Sequence, residues 1–431
     1  LKRIISVLLV IALAAGLPGC GGGSSSQAFD QSKTYTIKLT AFQGSIWPPS
    51  PISDDTVIDE ILKKFSEKYP NIKVEVERVE RSKYSEFLSN KFMNGDEADL
   101  FYIEPTYFST YASKGMLENL DEWIKKDTEF KKDSFYTKGL PDGQLDNVQY
   151  ALPRELSPSM MFVNTAVLDN EKIAFDNKNW TWDDLKNMVE KLNKDTNGDG
   201  KLDQLGLGYM SWWDAIYSNG SSIITADGKP NFDDPKVREA IAFTIEMQKS
   251  IDRSYTRDEM TQNLYNGKYV FFPFKYSYYN ALRRSPYMKF KWQVAAFPKG
   301  KGAEEFNGVM ESLLVGMSAR SKNKEAAWLL MKYITNNTDA QKVVYRFSDG
   351  LPAMKTVMDE PDIKEDLKDN DVDLDAVNYV VEHSTNIRRH PKEEKIIQVA
   401  DEEVLAAVEG KQNADQTCDN INRKLQIILQ E

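Results

Sequence analysis

The side chains with the most defined spacing are Asp195, Asn197, Asp199 and Asp203, which set oxygens at positions 1, 3, 5 and 9 of an EF-hand-like loop. Gly200 stands at position 6 and the Lys201 carbonyl at position 7, so the loop predicts one structural Ca²⁺. Position 12 is Gly206, which excludes a complete EF-hand. An acidic turn without metal is the other reading, because Asp and Gly favour turns for backbone reasons. Metal-assisted or nucleophilic catalysis has no visible apparatus: there are two histidines, His383 and His390, and no zinc-ligand spacing, phosphate loop or nucleophile elbow. His390-Pro391 reads as structural. A glycoside hydrolase needs only two carboxylates, and with 66 Asp and Glu that alternative stays open, since sequence does not give their separation.

These residues need elements to position them, and 431 residues with 41% hydrophobic content suit two cores better than one. The formal charge is −11, and removing the first nineteen residues takes away only Lys2 and Arg3. That balance argues against a nucleic-acid surface, which needs clustered Lys and Arg. Lys2-Arg3, the apolar run Ile4 to Leu17 and the junction Leu17-Pro18-Gly19-Cys20 read as a signal peptide over 1–19. The run is short for a membrane span, which counts against the alternative of an uncleaved anchor helix. The junction resembles a bacterial lipobox with Cys20 as the lipidated residue, and residues 20–32, rich in Gly and Ser at the start, read as a tether. With Cys20 lipidated, Cys418 is left alone, so no internal disulfide forms. Its spacing with Ala414, Ile421, Leu425 and Ile428 predicts a buried position on a helix.

Past the tether, Tyr35, Ile37, Leu39 and Ala41 alternate with polar residues as a strand does. A helical stripe of Val57, Ile58, Ile61, Leu62 and Phe65 follows, Pro70 closes it, and Ile72, Val74 and Val76 form the next strand. This is a βαβ unit. Tyr84, Phe87, Leu88 and Phe92 mark a second helix, and Ala98 to Ile103 reads as a buried strand of a parallel sheet. Thr181 with Asp184 forms a capping-box start for a helix bearing Leu185, Met188, Val189 and Leu192. Further helices are predicted at 237–251, 326–334, 374–381 and 396–408, and strands at 269–274, 292–297 and 313–317. The alternation predicts an α/β fold throughout.

Several blocks, in order, resemble the extracellular solute-binding proteins of sugar-importing ABC systems, the family of the maltose- and alginate-binding proteins. They are Asp99 to Ile103 followed by Lys114 to Asp121, then Tyr150 to Pro153 before Met160 to Asn164, then Trp180 to Leu185, and last Ser321 to Trp328. The resemblance implies two α/β lobes joined by hinge strands, with ligand clasped in the cleft between them. It also implies crossings near 152–156, 295–298 and 336–339, giving a first lobe of 33–152 plus 298–336 and a second of 156–294 plus 339–431. The implied function is capture of a carbohydrate, expected to be an oligosaccharide, and its delivery to an ABC permease by a monomer anchored on the outer face of the cytoplasmic membrane. A binding protein that feeds a sensor fits the same residues.

Sugar sites combine aromatic platforms with planar polar groups. The resemblance places Trp47, Glu104, Arg154, Glu155, Trp212, Trp213, Phe274 and Tyr276 where cleft loops fall. Trp47 also reads as a lobe-edge residue, and Glu104 as a solvated helix-start carboxylate. Glu155 matches the hinge glutamate of the maltose-binding pattern, while a local Arg154–Glu155 pair pinning the hinge is the other reading. Adjacent indoles diverge, so at least one of Trp212 and Trp213 is expected to face the cleft. Phe274 or Tyr276 stands where the family commonly has Trp.

Overall fold

The computed structural model describes residues 29–44, 53–305, 308–369 and 374–430; Cys20 and Trp47 lie outside them. Its strands, in chain order, are β1 (Tyr35–Gln43), β2 (Ile72–Glu80), β3 (Leu100–Ile103), β4 (Gln144–Leu145), β5 (Val148–Gln149), β6 (Ala151–Leu156) and β7 (Ser159–Val163). They continue as β8 (Leu205–Leu207), β9 (Tyr269–Lys275), β10 (Gln293–Ala295), β11 (Gly308–Met310), β12 (Ser312–Met317), β13 (Leu351–Pro352) and β14 (Ser384–Asn386). Two main sheets result. The larger runs β13-β6-β12-β3-β1-β2 and the smaller β10-β7-β9-β8, with two-stranded pairs β11-β14 and β4-β5 beside them.

In the larger sheet β1 lies parallel to both β2 and β3, with β12 antiparallel to β3 and β6. Every residue of β3, β6 and β12 is buried, as expected of strands covered on both faces. The helix Asp54–Lys68 covers one face with Val57, Ile58, Ile61 and Phe65, its start fixed by the Ser53 hydroxyl accepting from the Asp55 N–H. In the smaller lobe the helix Trp182–Leu192 carries the capping box: the Thr181 hydroxyl accepts from the Asp184 N–H while Asp184 accepts from the Thr181 N–H. The helices Glu393–Val408 and Ala414–Gln430 pack on each other and on Pro235–Lys249. Cys418 is buried among them, and burial pushes its thiol up to about 12, an inert position.

The chain passes from the larger sheet to the smaller between β6 and β7, close to the expected first crossing. The return comes later than 295–298. Trp182 N–H still donates to the Lys299 carbonyl and Gly300 N–H to the Ser218 carbonyl, so the chain rejoins the larger sheet only at β12. The sequence reading starts the second lobe's last segment at 339, yet the helix Thr338–Phe347 packs on Asp54–Lys68 and β13 pairs with β6. Strand and helix periodicities are the same in either lobe, so they do not reveal which sheet a segment joins. Among the described residues, no helix is long and apolar enough to cross a membrane.

Candidate functional site

A cavity of about 990 Å³ opens in the second lobe, framed by β9, the helices Arg257–Tyr265 and Tyr276–Arg283, and the loop after β8. Strand alternation aims Phe272 and Phe274 to the same side of β9, and both line it with Leu264, Tyr265, Tyr278 and Leu282. Tyr209 adds a ring that is 44% exposed, unusual for so large a side chain in this fold. Burial, then the charges of Asp214 and Asp401, push its phenol up to about 12, so it stays a neutral platform.

One end of the cavity is polar. The Ser211 hydroxyl caps the helix Trp212–Ser218 by accepting from the Asp214 N–H at 3.2 Å, which sets the Asp214 carboxylate beside Ser159 and Lys275. Burial raises the Asp214 pKa, against hydrogen bonds from Ser159 and Ser211 and the attraction of Lys275. Burial likewise pulls Lys275 down to about 8, with Asp214 acting in the opposite direction. Lys275 pairs with Glu311, the residue just before β12, and the Ser157 N–H donates to the Glu311 carbonyl at 2.7 Å. The pair ties the end of β9 to the hinge.

The first lobe presents a different wall. The parallel strands β1, β2 and β3 end in the same direction, the place where ligands of such sheets bind. Arg81 follows β2, Glu104 follows β3 and Asp54 opens the helix after β1. Arg81 lies 3.5 Å from Asp54 and 3.8 Å from Glu104, its guanidinium 4.0 Å from the Phe42 ring centre. Glu104 is partly open, and burial raises its carboxyl against the pull of Arg81.

Arg154 is wholly buried behind this wall and cannot meet a ligand in this arrangement. Its Nη2 donates to Asp54 and Glu155, both at 2.8 Å, and to Ser348 Oγ at 3.3 Å, while the guanidinium lies 4.7 Å from the Tyr102 ring centre. Burial opposes its charge, but Glu155, Tyr102 and Asp54 hold it protonated more firmly than usual. Glu155 is also buried and accepts from Ser348, so the residues expected at the ligand form the pair that pins the hinge. A second buried link joins the lobes where Arg389 donates to Asp142 at 3.1 Å and to Glu393 at 2.8 Å.

Of the other expected ligand residues, Phe274 lines the cavity and Tyr276 is buried against Tyr279 instead. Trp212 is buried with its indole N–H donating to Asp401 at 2.6 Å, and Trp213 is half-buried against Trp212 and Tyr217. Neither lines the cavity. Tyr209, Tyr265, Tyr278, Asp214 and Lys275 went unnoticed in the sequence, although Tyr209 and Asp214 flank the Trp pair in the same loop. The two histidines are engaged locally: His383 Nδ1 is 2.8 Å from the Tyr379 carbonyl, and His390 Nδ1 accepts from the Lys392 N–H.

In the Asp195–Asp203 loop the carboxylates accept from the loop's own groups. Asp195 takes the N–H of Gly198 and Gly200, and Asp203 takes those of Thr196 and Asn197. As placed, this is an acidic turn, and among the described residues no three His, Cys, Asp or Glu side chains are grouped to hold a metal ion.

Residues 49–341 match the sequence pattern of the bacterial extracellular solute-binding proteins. The fold is similar to an ABC substrate-binding protein from Listeria monocytogenes solved with cycloalternan, at 19% identity over 92% of this chain and 99% of that one, with a TM-score of 0.74. It is similar to the sugar-binding protein MalE of Xanthomonas citri, at 17% identity over 91% and 97% of the two chains and a TM-score of 0.76. It also matches a maltose-bound MalE3 of T. maritima, at 20% identity over 92% and 100%, with a TM-score of 0.69.

Proposed function

Because the chain belongs to the bacterial extracellular solute-binding protein family, we propose that it captures an oligosaccharide between its lobes and passes it to an ABC importer. The observation that carries the sugar is the second-lobe cavity, where the rings of Tyr209, Phe272, Phe274 and Tyr278 stand beside Ser159, Asp214 and Lys275. Apolar C–H faces of a sugar stack on such rings while its hydroxyls meet the polar end. Solved relatives bound to cycloalternan and to maltose support the same class. The family places the protein outside the cytoplasm.

The finer points of the reading are a monomer held at the membrane by lipidated Cys20, supported by the lipobox-like junction, and one Ca²⁺ in the Asp195–Asp203 loop, supported by the spacing of its oxygens. Calcium would require those oxygens to turn from the loop N–H groups toward the ion. A thermal-shift panel of neutral gluco-, manno-, galacto- and xylo-oligosaccharides tests the function, because a ligand of the folded state raises the melting temperature. At least one oligosaccharide should do so and be recovered uncleaved. A panel without any shift, or one that releases shorter sugars, contradicts the reading.

A further inference from the structure

Among the described residues, four buried carboxylate oxygens have no hydrogen-bond partner: Asp142 Oδ2, Asp214 Oδ1, Asp349 Oδ1 and Glu393 Oε2. Asp142 and Glu393 are both neutralised by Arg389. Asp349 lies in the turn between the helix Thr338–Phe347 and β13, where burial, Glu155 and Asp54 raise it to about 7, and it does not line the cavity. Of the four, Asp214 alone belongs to the cavity lining.

The strand register explains why that end of the cavity is polar. β7 and β9 pair Ser159 with Lys275, which sets a hydroxyl and an ammonium one step beyond Phe274. Three charged side chains line the cavity: Asp214, Asp258 and Lys275. The one cation among them is engaged, because Lys275 pairs with Glu311 beside the hinge. Asp258 is exposed in the first turn of the helix Arg257–Tyr265. Neither Asp214 nor Asp258 forms an ion pair within 4.0 Å among the described residues. One ammonium therefore stands against three carboxylates, Asp214, Asp258 and Glu311, and the cavity keeps a negative charge that no side chain of its lining offsets.

A ring face attracts a cation, and an ionised carboxylate only accepts hydrogen bonds. Five aromatic side chains, Tyr209, Tyr265, Phe272, Phe274 and Tyr278, share the cavity with this unmatched charge. A sugar hydroxyl supplies a donor but no charge. A protonated amine supplies both. We propose that the cavity selects a saccharide bearing a protonated amine, with Asp214 as the counter-ion of the ammonium and the rings as the wall on which the sugar lies. The assignment rests on the carbohydrate reading above and narrows it to a cationic sugar. A neutral sugar still stacks on the rings but leaves the charge unmatched, and a uronate adds a like charge. Burial raises the Asp214 pKa, and an ammonium beside it favours the ionised form.

Calorimetry on the full chain tests this with two pairs of similar size, one β-linked and one α-linked: the glucosamine trimer against cellotriose, and kanamycin against maltotriose. In at least one pair the amine-bearing sugar should bind roughly 10- to 100-fold more tightly, the usual range for a hydrogen bond to a charged group. Added salt should narrow that gap by screening the charge, and N-acetylation of the amine should close it. Asp214→Asn should remove most of the gap. Its unfolding curve shows whether the variant is folded, and the paired comparison in the parent decides the question without it. Neutral sugars that bind as tightly as the amine-bearing ones or more tightly, or a gap that a folded Asp214→Asn leaves intact, overturn the cationic assignment alone. Neutral and amine-bearing sugars that all fail to bind overturn the carbohydrate reading and the assignment with it.

Discussion

The two walls of the cleft are built by opposite means. The second lobe offers aromatic rings on one strand and its flanking helices, with few charges, and leaves Tyr209 open. The first lobe offers Asp54, Arg81 and Glu104 around the ends of its strands, with Arg154 and Glu155 buried behind them, all of them paired. The contrast separates two jobs. Tyr209, 44% exposed, offers a ring face on which a ligand can stack, whereas a buried cation shared by two carboxylates holds the hinge in register. The residue types most suggestive of ligand binding in sequence, the Arg and Glu of β6, belong to the second job.

The largest expected effect breaks the comparison at the first wall. Arg154→Met leaves Glu155 buried without its cation and Asp54 with only Arg81 at 3.5 Å, and denaturant unfolding should show a loss of about 3–5 kcal/mol. A loss below about 1 kcal/mol would mean that the pair is incidental to the hinge. Asp349 gives the next effect. Its folded pKa of about 7 lies above the unfolded value near 3.8, so the folded state binds the extra proton between them. Stability from this group is greatest below the unfolded value, falls as pH rises through that window and is lowest above about 7. The difference is at most about 4 kcal/mol. Asp349→Asn should remove that slope from a series of unfolding curves, and an unaltered slope would assign it to other groups.

How far the sequence reaches follows the same division. Helices and strands were legible because their apolar spacing is local: the stripe Val57 to Phe65 and the Thr181–Asp184 box fold as their patterns predict. The hinge cluster was not, because Arg154 finds Asp54 a hundred residues away and Ser348 at still greater separation. The Trp pair shows the mixture. Adjacent side chains do diverge, yet Trp212 is claimed by Asp401, a partner that no local pattern announces. Tyr209 carries no periodic signal at all, and only its exposure singles it out.

Trp212 sharpens the comparison within the second lobe. Trp212→Phe should cost about 1–2 kcal/mol of stability through the lost hydrogen bond to Asp401 and the lost ring area, with sugar affinity nearly unchanged. Calorimetry showing the reverse, weak binding with intact stability, would move the site toward the Trp pair. The smallest effect belongs to the Asp195–Asp203 loop, which does not line the cavity. If it takes up Ca²⁺, added calcium should raise the melting temperature and EDTA reverse it, while Asp199→Ala removes the response. A melting temperature indifferent to both reagents would leave the loop as the hydrogen-bonded turn described above.

The central claim is that the aromatic wall of the second lobe is where the sugar lies. Its most direct test is calorimetric titration of the full chain and of Tyr209→Ala with the oligosaccharide found in the thermal-shift panel. Tyr209 is 44% exposed in the free protein, so its removal should lower the melting temperature only modestly. It should cost about 1–3 kcal/mol of binding free energy through lost stacking area. The same affinity in both proteins would contradict the account and place the sugar elsewhere on the chain.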